Sequence, residues 1–170
     1  MRERHRLERE QLLDCPIETV FAFYADAANL EALTPSFLRF RIVTPTPIPM
    51  RPGTRIDYAL SLHGVPIRWR TLITCWEPGV RFVDEQEHGP YAYWRHEHTF
   101  EARGRQTLMR DAVDYREPLG MLGQVAHVLF VRGALERIFD FRRDAAQRLL
   151  GRPLAVTASS AADGSRELAA

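Results

Sequence analysis

The sequence contains no lysine, only two cysteines and no long apolar run. Two cysteines are too few for a disulfide framework, and neither Cys15 nor Cys75 lies in a metal or redox motif. The basic residues are all arginine, and the net charge of +1 gives no field that would attract nucleic acid or an anionic membrane. The most apolar stretch, residues 119–131, is far shorter than the ~20 residues of a membrane-spanning helix.

Several enzyme signatures are also missing. The chain has no G-x-S-x-G elbow, no phosphate-binding loop and no G-x-G-x-x-G fingerprint, so nothing favours a hydrolase, a kinase or a dehydrogenase. Residues 1–10 are charged and lack the apolar segment of a secretory signal, and we therefore expect a cytoplasmic protein. The length of 170 residues predicts one domain over residues 1–151. Residues 152–170 are small, polar and unpatterned, which predicts a disordered tail.

Helical periodicity marks both ends of the domain. A strand is predicted at residues 6–14, followed by a helix in which apolar residues recur at helical spacing from residue 17 to 24. A second short helix is predicted at residues 28–33, because the residue before Pro35 avoids the helical region. Residues 119–150 are predicted to form a long terminal helix. Its expected apolar stripe includes Phe141, Ala145 and Leu149, with Arg142 on another face.

Between these helices the apolar period falls to two, and turn residues separate the runs. The further predicted strands are residues 38–43, 56–62, 67–75, 81–87, 93–102 and 107–115. Short turns between closely spaced strands favour an antiparallel sheet. The pattern is that of an α+β domain in which a curved sheet wraps a helix.

Alternation sorts the side chains of the last three strands onto two faces. One face collects most of the large apolar residues and is therefore the inner one. The same face also carries six polar residues: Asp84, Gln86, His96, His98, Asp111 and Tyr115. These are too many for a dry core, because each unpaired group costs about 1–3 kcal/mol. Two arrangements would resolve this conflict. The polar groups hydrogen-bond to one another in a network, or they line a water-filled cavity that is open to a ligand. The two arrangements are compatible.

Several stretches together resemble a known superfamily. They are PIETVF at residues 16–21, GVPIRW at 64–69, FVDEQ at 82–86, GPY at 89–91, WRHEHTF at 94–100 and DAVDY at 111–115. From about residue 7 to 150 the chain is similar to the START-like, or SRPBCC, superfamily, and in particular to a bacterial branch of cyclase/dehydrase-like proteins. The resemblance implies a helix-grip fold, with a seven-stranded antiparallel curved sheet around a long C-terminal helix and two short helices. A hydrophobic cavity would lie between them, with residues 118–123 as a gate.

The leading hypothesis that follows is the binding of a small or medium hydrophobic molecule in that cavity. The residues expected to contact the ligand are Tyr58, Trp69, Thr71, Phe82, Gln86, Trp94, Phe100, Met109 and Val113. Aromatic residues at sheet spacing are also typical of an ordinary core, so the implied cavity is what favours ligand contact. No nucleic acid, no membrane span and no cofactor are expected, and the protein is a monomer or a homodimer.

Two alternatives remain open. The chain is an enzyme of the polyketide cyclase/dehydratase kind if His96 or His98, held by Asp84 or Asp111, moves a proton near neutral pH. Tyr115 or Tyr58 would then polarise a carbonyl. The other alternative is a protein-interaction module, which would have a filled interior and an exposed apolar patch.

The histidine pair also admits a metal hypothesis. His96, His98 and Asp84 supply two imidazoles and a carboxylate, a set used by zinc and by non-haem iron. The competing interpretation is a polar network that orients the two rings, and no metal is expected in the prediction. Trp76 and Arg70 are predicted on the outer face of the sheet, and His127 at the surface or an edge.

Overall fold

The computed structural model describes residues 4–62, 64–118 and 131–151. Three predictions concern residues outside the described ranges. They are the disordered tail at residues 152–170, the position of His127, and the gate, of which only Pro118 is described. Among the described helices, none is long and apolar enough to cross a membrane.

Seven strands form a single antiparallel sheet. They are β1 (His5–Leu13), β2 (Arg41–Ile42), β3 (Arg55–Leu62), β4 (Val65–Glu77), β5 (Arg81–His88), β6 (Tyr93–Arg103) and β7 (Gln106–Arg116). Their order across the sheet is β1-β7-β6-β5-β4-β3-β2, so the first strand pairs with the last and the remaining strands follow one another as a meander. The predicted helix-grip architecture, a curved antiparallel sheet with a long C-terminal helix, is confirmed.

Among the described residues, two α-helices accompany the sheet, α1 (Ile17–Ala25) and α2 (Arg132–Leu150). The stripe of α1 buries Val20, Phe21 and Tyr24 as its periodicity predicts. The predicted second helix is instead a 3-10 turn at Ala27–Leu30. It begins early because the Asp26 carboxylate accepts a hydrogen bond from the Ala28 N–H at 2.9 Å.

The predicted strand at residues 38–43 is mostly irregular. A 3-10 turn occupies Ser36–Leu38, and Arg39 after it adopts a left-handed conformation with φ of 45°. This residue turns the backbone out of the extended geometry. Pairing with β3 is therefore reduced to Arg41–Ile42 at the edge of the sheet.

The prediction that Trp76 lies on the outer face is wrong. Its ring packs against Phe21 and Phe82, with centroids 5.4 and 5.3 Å away. The β4–β5 register shifts between Ile73 and Cys75, so that Trp76 pairs with the inward-facing Phe82. A bulge of this kind inverts the alternation of every residue that follows it. By contrast, Arg70 lies on the outer face, exposed and paired with Asp57.

The phase of α2 also differs from the predicted stripe. Leu149 is 46% exposed, whereas Leu150 and Ala146 are buried. Ala145 is buried, in agreement with the expected stripe. The face toward the sheet runs through Leu135 and Phe139 and continues to Arg142, which also lines the inner cavity. These positions are separated by four and three residues, the spacing of one helix face.

Candidate functional site

An internal cavity of about 240 Å³ lies between the inner face of the sheet and α2. Eight of the predicted site residues line it: Tyr58, Trp69, Thr71, Phe82, Asp84, Trp94, His96 and His98. Most of the remaining lining is aliphatic or aromatic, including Leu60 and Ile67 from the sheet and Leu135 from α2. The cavity is therefore an apolar space with a small number of polar groups on its wall.

The other predicted site residues lie elsewhere. Phe100, Met109 and Val113 are buried in the core. Gln86 holds the β5–β6 turn, with its side-chain amide donating to the Tyr91 carbonyl at 2.8 Å and accepting from the Tyr91 N–H at 3.2 Å. Tyr115 packs its ring 5.8 Å from that of Tyr91.

Asp111 does not line the cavity but lies directly behind the two histidines. Its Oδ1 atom is 2.9 Å from His96 Nε2 and 2.8 Å from His98 Nδ1. On the other side, Asp84 Oδ2 is 3.5 Å from His96 Nδ1 and 3.2 Å from His98 Nε2. The four side chains form a closed ring of alternating carboxylates and imidazoles, which we call the His/Asp cluster.

Strand register builds this cluster. Asp84 on β5 pairs with His96 on β6, and His98 on β6 pairs with Asp111 on β7. The two histidines alternate with Glu97, whose side chain points to the opposite face. Three neighbouring strands thus bring two acids and two imidazoles onto one patch of the inner face.

Aromatic rings enclose the cluster. Phe82 stacks on His98 with centroids 4.1 Å apart, and Phe139 meets His96 edge-on at 5.4 Å. The two imidazole side chains are only 4% and 2% exposed, whereas that of Asp84 is 18% exposed. The carboxylate of Asp84 is therefore the most accessible member of the cluster.

The pKa values of the two histidines shift in opposite directions. Burial together with the neighbouring His98 lowers the pKa of His96. Burial also opposes the charged form of His98, but its contacts with Asp111 and Asp84 outweigh that effect and raise the pKa of His98. Burial likewise opposes ionisation of both acids, yet the histidines lower the pKa of Asp84 and of Asp111. Burial and the neighbouring charges therefore push the pKa values of the two rings apart, His96 toward its neutral form and His98 toward its protonated form.

Sequence reasoning missed further polar residues on the cavity wall, among them Tyr24, Arg142, Asp26 and Thr34. The Tyr24 ring lies 6.3 Å from that of His98, and the stripe of α1 already indicated that it faces inward. Arg142 Nε is buried without a hydrogen-bond partner. In the described part of the chain, no carboxylate forms an ion pair with its guanidinium. Continuing the α2 face from Leu135 by four and then three residues would have identified it.

A second, wider depression of about 550 Å³ covers the loop between β2 and β3, lined by residues such as Ile48, Arg51 and Thr54. It is open to solvent, and none of the predicted site residues lines it. The internal cavity is the better candidate because it is more enclosed than this depression and is lined by buried titratable groups.

Comparison with solved structures identifies the same fold elsewhere. The protein TTHA0849 from Thermus thermophilus has a TM-score of 0.70 at 15% identity, over 86% of this chain and 97% of that chain. The Zhui aromatase/cyclase from Streptomyces sp. R1128 has a TM-score of 0.70 at 13% identity, over 88% and 95%. The major latex-like protein 151 from Panax ginseng has a TM-score of 0.64 at 8% identity, over 86% and 97%. At these identities the likeness shows the fold alone.

The sequence itself carries the family relationship. No sequence among the curated proteins is significantly similar to this chain. Residues 13–139, well over half of the chain, match the family described as polyketide cyclase/dehydrase and lipid transport. The matched region includes β2 to β7, the His/Asp cluster and the first turns of α2. The chain therefore belongs to the polyketide cyclase/dehydrase and lipid transport family.

Proposed function

We propose that this protein binds a compact hydrophobic molecule in the cavity between the sheet and α2, with an oxygen-bearing end of the ligand toward Arg142 and the His/Asp cluster. The observation that carries the proposal is the partly enclosed, mostly apolar cavity. At about 240 Å³ it is somewhat smaller than the ~300–1,000 Å³ of typical ligand pockets, so a small ligand fits best.

Arg142 gives the ligand an orientation. A buried guanidinium N–H without an acceptor is costly, because its hydrogen bond to water is lost on folding. A carbonyl or carboxylate oxygen on the ligand supplies the acceptor that the described residues do not provide. Membership of a family that includes lipid transport supports the same function.

Binding is tested with 1-aminoanthracene, a neutral tricyclic dye whose emission increases in apolar surroundings. Ala134 is buried on α2 and lines the cavity, so Ala134→Phe fills the space that the dye requires. Arg137 is exposed on the same helix, and Arg137→Phe adds the same ring outside the cavity. The wild type and Arg137→Phe are expected to bind one dye per chain, and Ala134→Phe to bind at least about tenfold more weakly.

The outcome that refutes the proposal is equally direct. If the wild type binds no dye, or if folded Ala134→Phe binds it as tightly as Arg137→Phe does, the cavity is not the binding site. The near-UV circular dichroism of all three proteins establishes that they are folded. A cytoplasmic location and a monomeric or dimeric state remain predictions of the sequence.

A second candidate, acid–base catalysis on a polyketide, is favoured by the position of His98 and Asp84 on the cavity wall. A ring that favours its proton beside a carboxylate is suited to transferring that proton to a carbonyl oxygen.

The experiment incubates the protein with a short poly-β-ketone thioester and records new aromatic absorbance. His98→Gln is expected to abolish this product without losing dye binding. An absence of product with the wild type contradicts the catalytic candidate and leaves ligand binding in place.

A further inference from the structure

We propose that Asp84, His96 and His98 bind a divalent first-row transition-metal ion whose remaining coordination positions open into the cavity. The proposal goes beyond ligand binding, and it rests on the arrangement of donor atoms in the His/Asp cluster. In the described ranges these three residues are the one group of three or more potential ligands whose donor atoms lie together, all within 4.8 Å of one another.

The distances between donor atoms suit a metal ion. Asp84 Oδ2 lies 3.2 Å from His98 Nε2 and 3.5 Å from His96 Nδ1. Metal–nitrogen and metal–oxygen bonds of about 2.0–2.2 Å place neighbouring ligand atoms roughly 3 to 3.5 Å apart. An ion can therefore bind the three residues with small side-chain adjustments and no rearrangement of the strands.

Asp111 is positioned to hold both imidazoles in the tautomer that a metal ion requires. Its Oδ1 atom faces the far nitrogen of each ring, Nε2 of His96 at 2.9 Å and Nδ1 of His98 at 2.8 Å. If each far nitrogen donates its proton to Asp111, the lone pairs of His96 Nδ1 and His98 Nε2 both point toward Asp84. A carboxylate behind a metal-binding histidine is the usual second layer of such a site.

The cluster without an ion leaves one atom unsatisfied. His98 Nδ1 is buried without an aligned hydrogen bond, although Asp111 is 2.8 Å away. In this arrangement the other ring nitrogen, His98 Nε2, contacts Asp84 at 3.2 Å. When an ion takes over Nε2, the ring proton belongs on Nδ1, and a small rotation of the ring aligns it with Asp111. Metal binding thus completes the hydrogen bonding of His98.

The negative charge of the cluster also favours binding of a cation. Two carboxylates lie within one largely buried cluster, and buried charge is expensive unless it is neutralised. A divalent cation coordinated by two neutral imidazoles and Asp84 balances both carboxylates at once. Arg142, the arginine among the described lining residues, acts on Asp84 through its charge but lies in no ion pair with either acid of the cluster.

The three ligands also leave room for a further molecule. Asp84, His96 and His98 all line the cavity, so water or a ligand oxygen can complete the coordination. Sites with three protein ligands and open positions are typical of metals that act on a bound molecule, whereas purely structural zinc sites use four. The set of two imidazoles and one carboxylate fits zinc or ferrous iron.

The experiment titrates chelator-treated, tag-free full-length protein with Co²⁺ and records its visible absorption, then displaces the Co²⁺ with Zn²⁺. We expect one Co²⁺ per chain, with an absorption band that disappears when Zn²⁺ is added. His96→Ala should abolish the band. Asp84→Asn, which conserves the shape of the most accessible ligand, should weaken binding by at least about tenfold. His88→Ala is the control, because His88 is exposed at the end of β5.

Two results overturn the proposal. One is the absence of saturable Co²⁺ binding in folded wild-type protein. The other is binding that persists in both His96→Ala and Asp84→Asn, which would place the ion elsewhere. Binding of 1-aminoanthracene to the same metal-free protein is measured in parallel, so that loss of the metal site and failure of ligand binding are separate results.

Discussion

Asp111 Oδ1 lies 2.9 Å from His96 Nε2, although Asp111 stands opposite His98 in the β6–β7 register. The carboxylate reaches diagonally to one histidine while it faces the other. A single oxygen atom therefore contacts both rings and fixes their orientation. The centroids of the two imidazole rings are 3.8 Å apart.

Replacing this carboxylate tests its contribution to stability. Asp111→Asn is expected to lower the free energy of unfolding by about 3 kcal/mol, because breaking a buried charged network leaves its partners unpaired. The matched control is Asp114→Asn on the outer face of the same strand, where Asp114 pairs with the exposed Arg6 at 3.1 Å. That control should cost less than ~1 kcal/mol. Urea unfolding midpoints measure both, and equal losses would show that the cluster has no special role in stability.

Arg142 is expected to set the preference for the end group of the ligand. Arg142→Met keeps an unbranched side chain in the cavity but removes the buried donor. A hydrogen bond to a charged group is worth about 1.5–3 kcal/mol, so affinity for decanoate should fall about tenfold or more. Affinity for decanol should change much less. Displacement of 1-aminoanthracene measures both ligands, and parallel losses for acid and alcohol would contradict the assigned orientation.

The bulge in β4 turns Trp76 inward, where its partly buried ring packs against the core. Trp76→Ala is expected to cost about 3 kcal/mol, since the substitution removes a large ring packed against Phe21 and Phe82 and leaves a void. Arg68→Ala, at an exposed position of the same strand, should change stability by less than ~0.5 kcal/mol. Thermal unfolding compares the two variants. A small effect at Trp76 would mean that its ring does not stabilise the core.

The alternation of residues in β5, β6 and β7 was enough to predict which polar side chains share the inner face. It could predict His96 and His98 together because they are two residues apart on one strand. Their partners Asp84 and Asp111 come from neighbouring strands, and the sequence left open how these acids pair with the histidines. That pairing depends on a register set by turns and bulges.

The same dependence explains the wrong prediction for Trp76, whereas the phase of α2 explains that for Arg142. Trp76 changes face because one extra residue enters β4, and a strict period of two cannot anticipate a bulge. Hydrophobic periodicity places Arg142 on another face, because it marks only apolar residues as inward-facing and an arginine is polar. Its burial is recognisable once α2 is placed against the sheet, where Leu135 and Phe139 define the inner side.

The most direct test of ligand binding in this cavity is native mass spectrometry of the wild type and Ala134→Phe, each incubated with decanoate. The structure predicts a single decanoate on the wild type, saturating at one per chain, and almost none on Ala134→Phe. Arg137→Phe should behave as the wild type does. An unliganded wild type, or several decanoates distributed equally on all three proteins, would contradict the account.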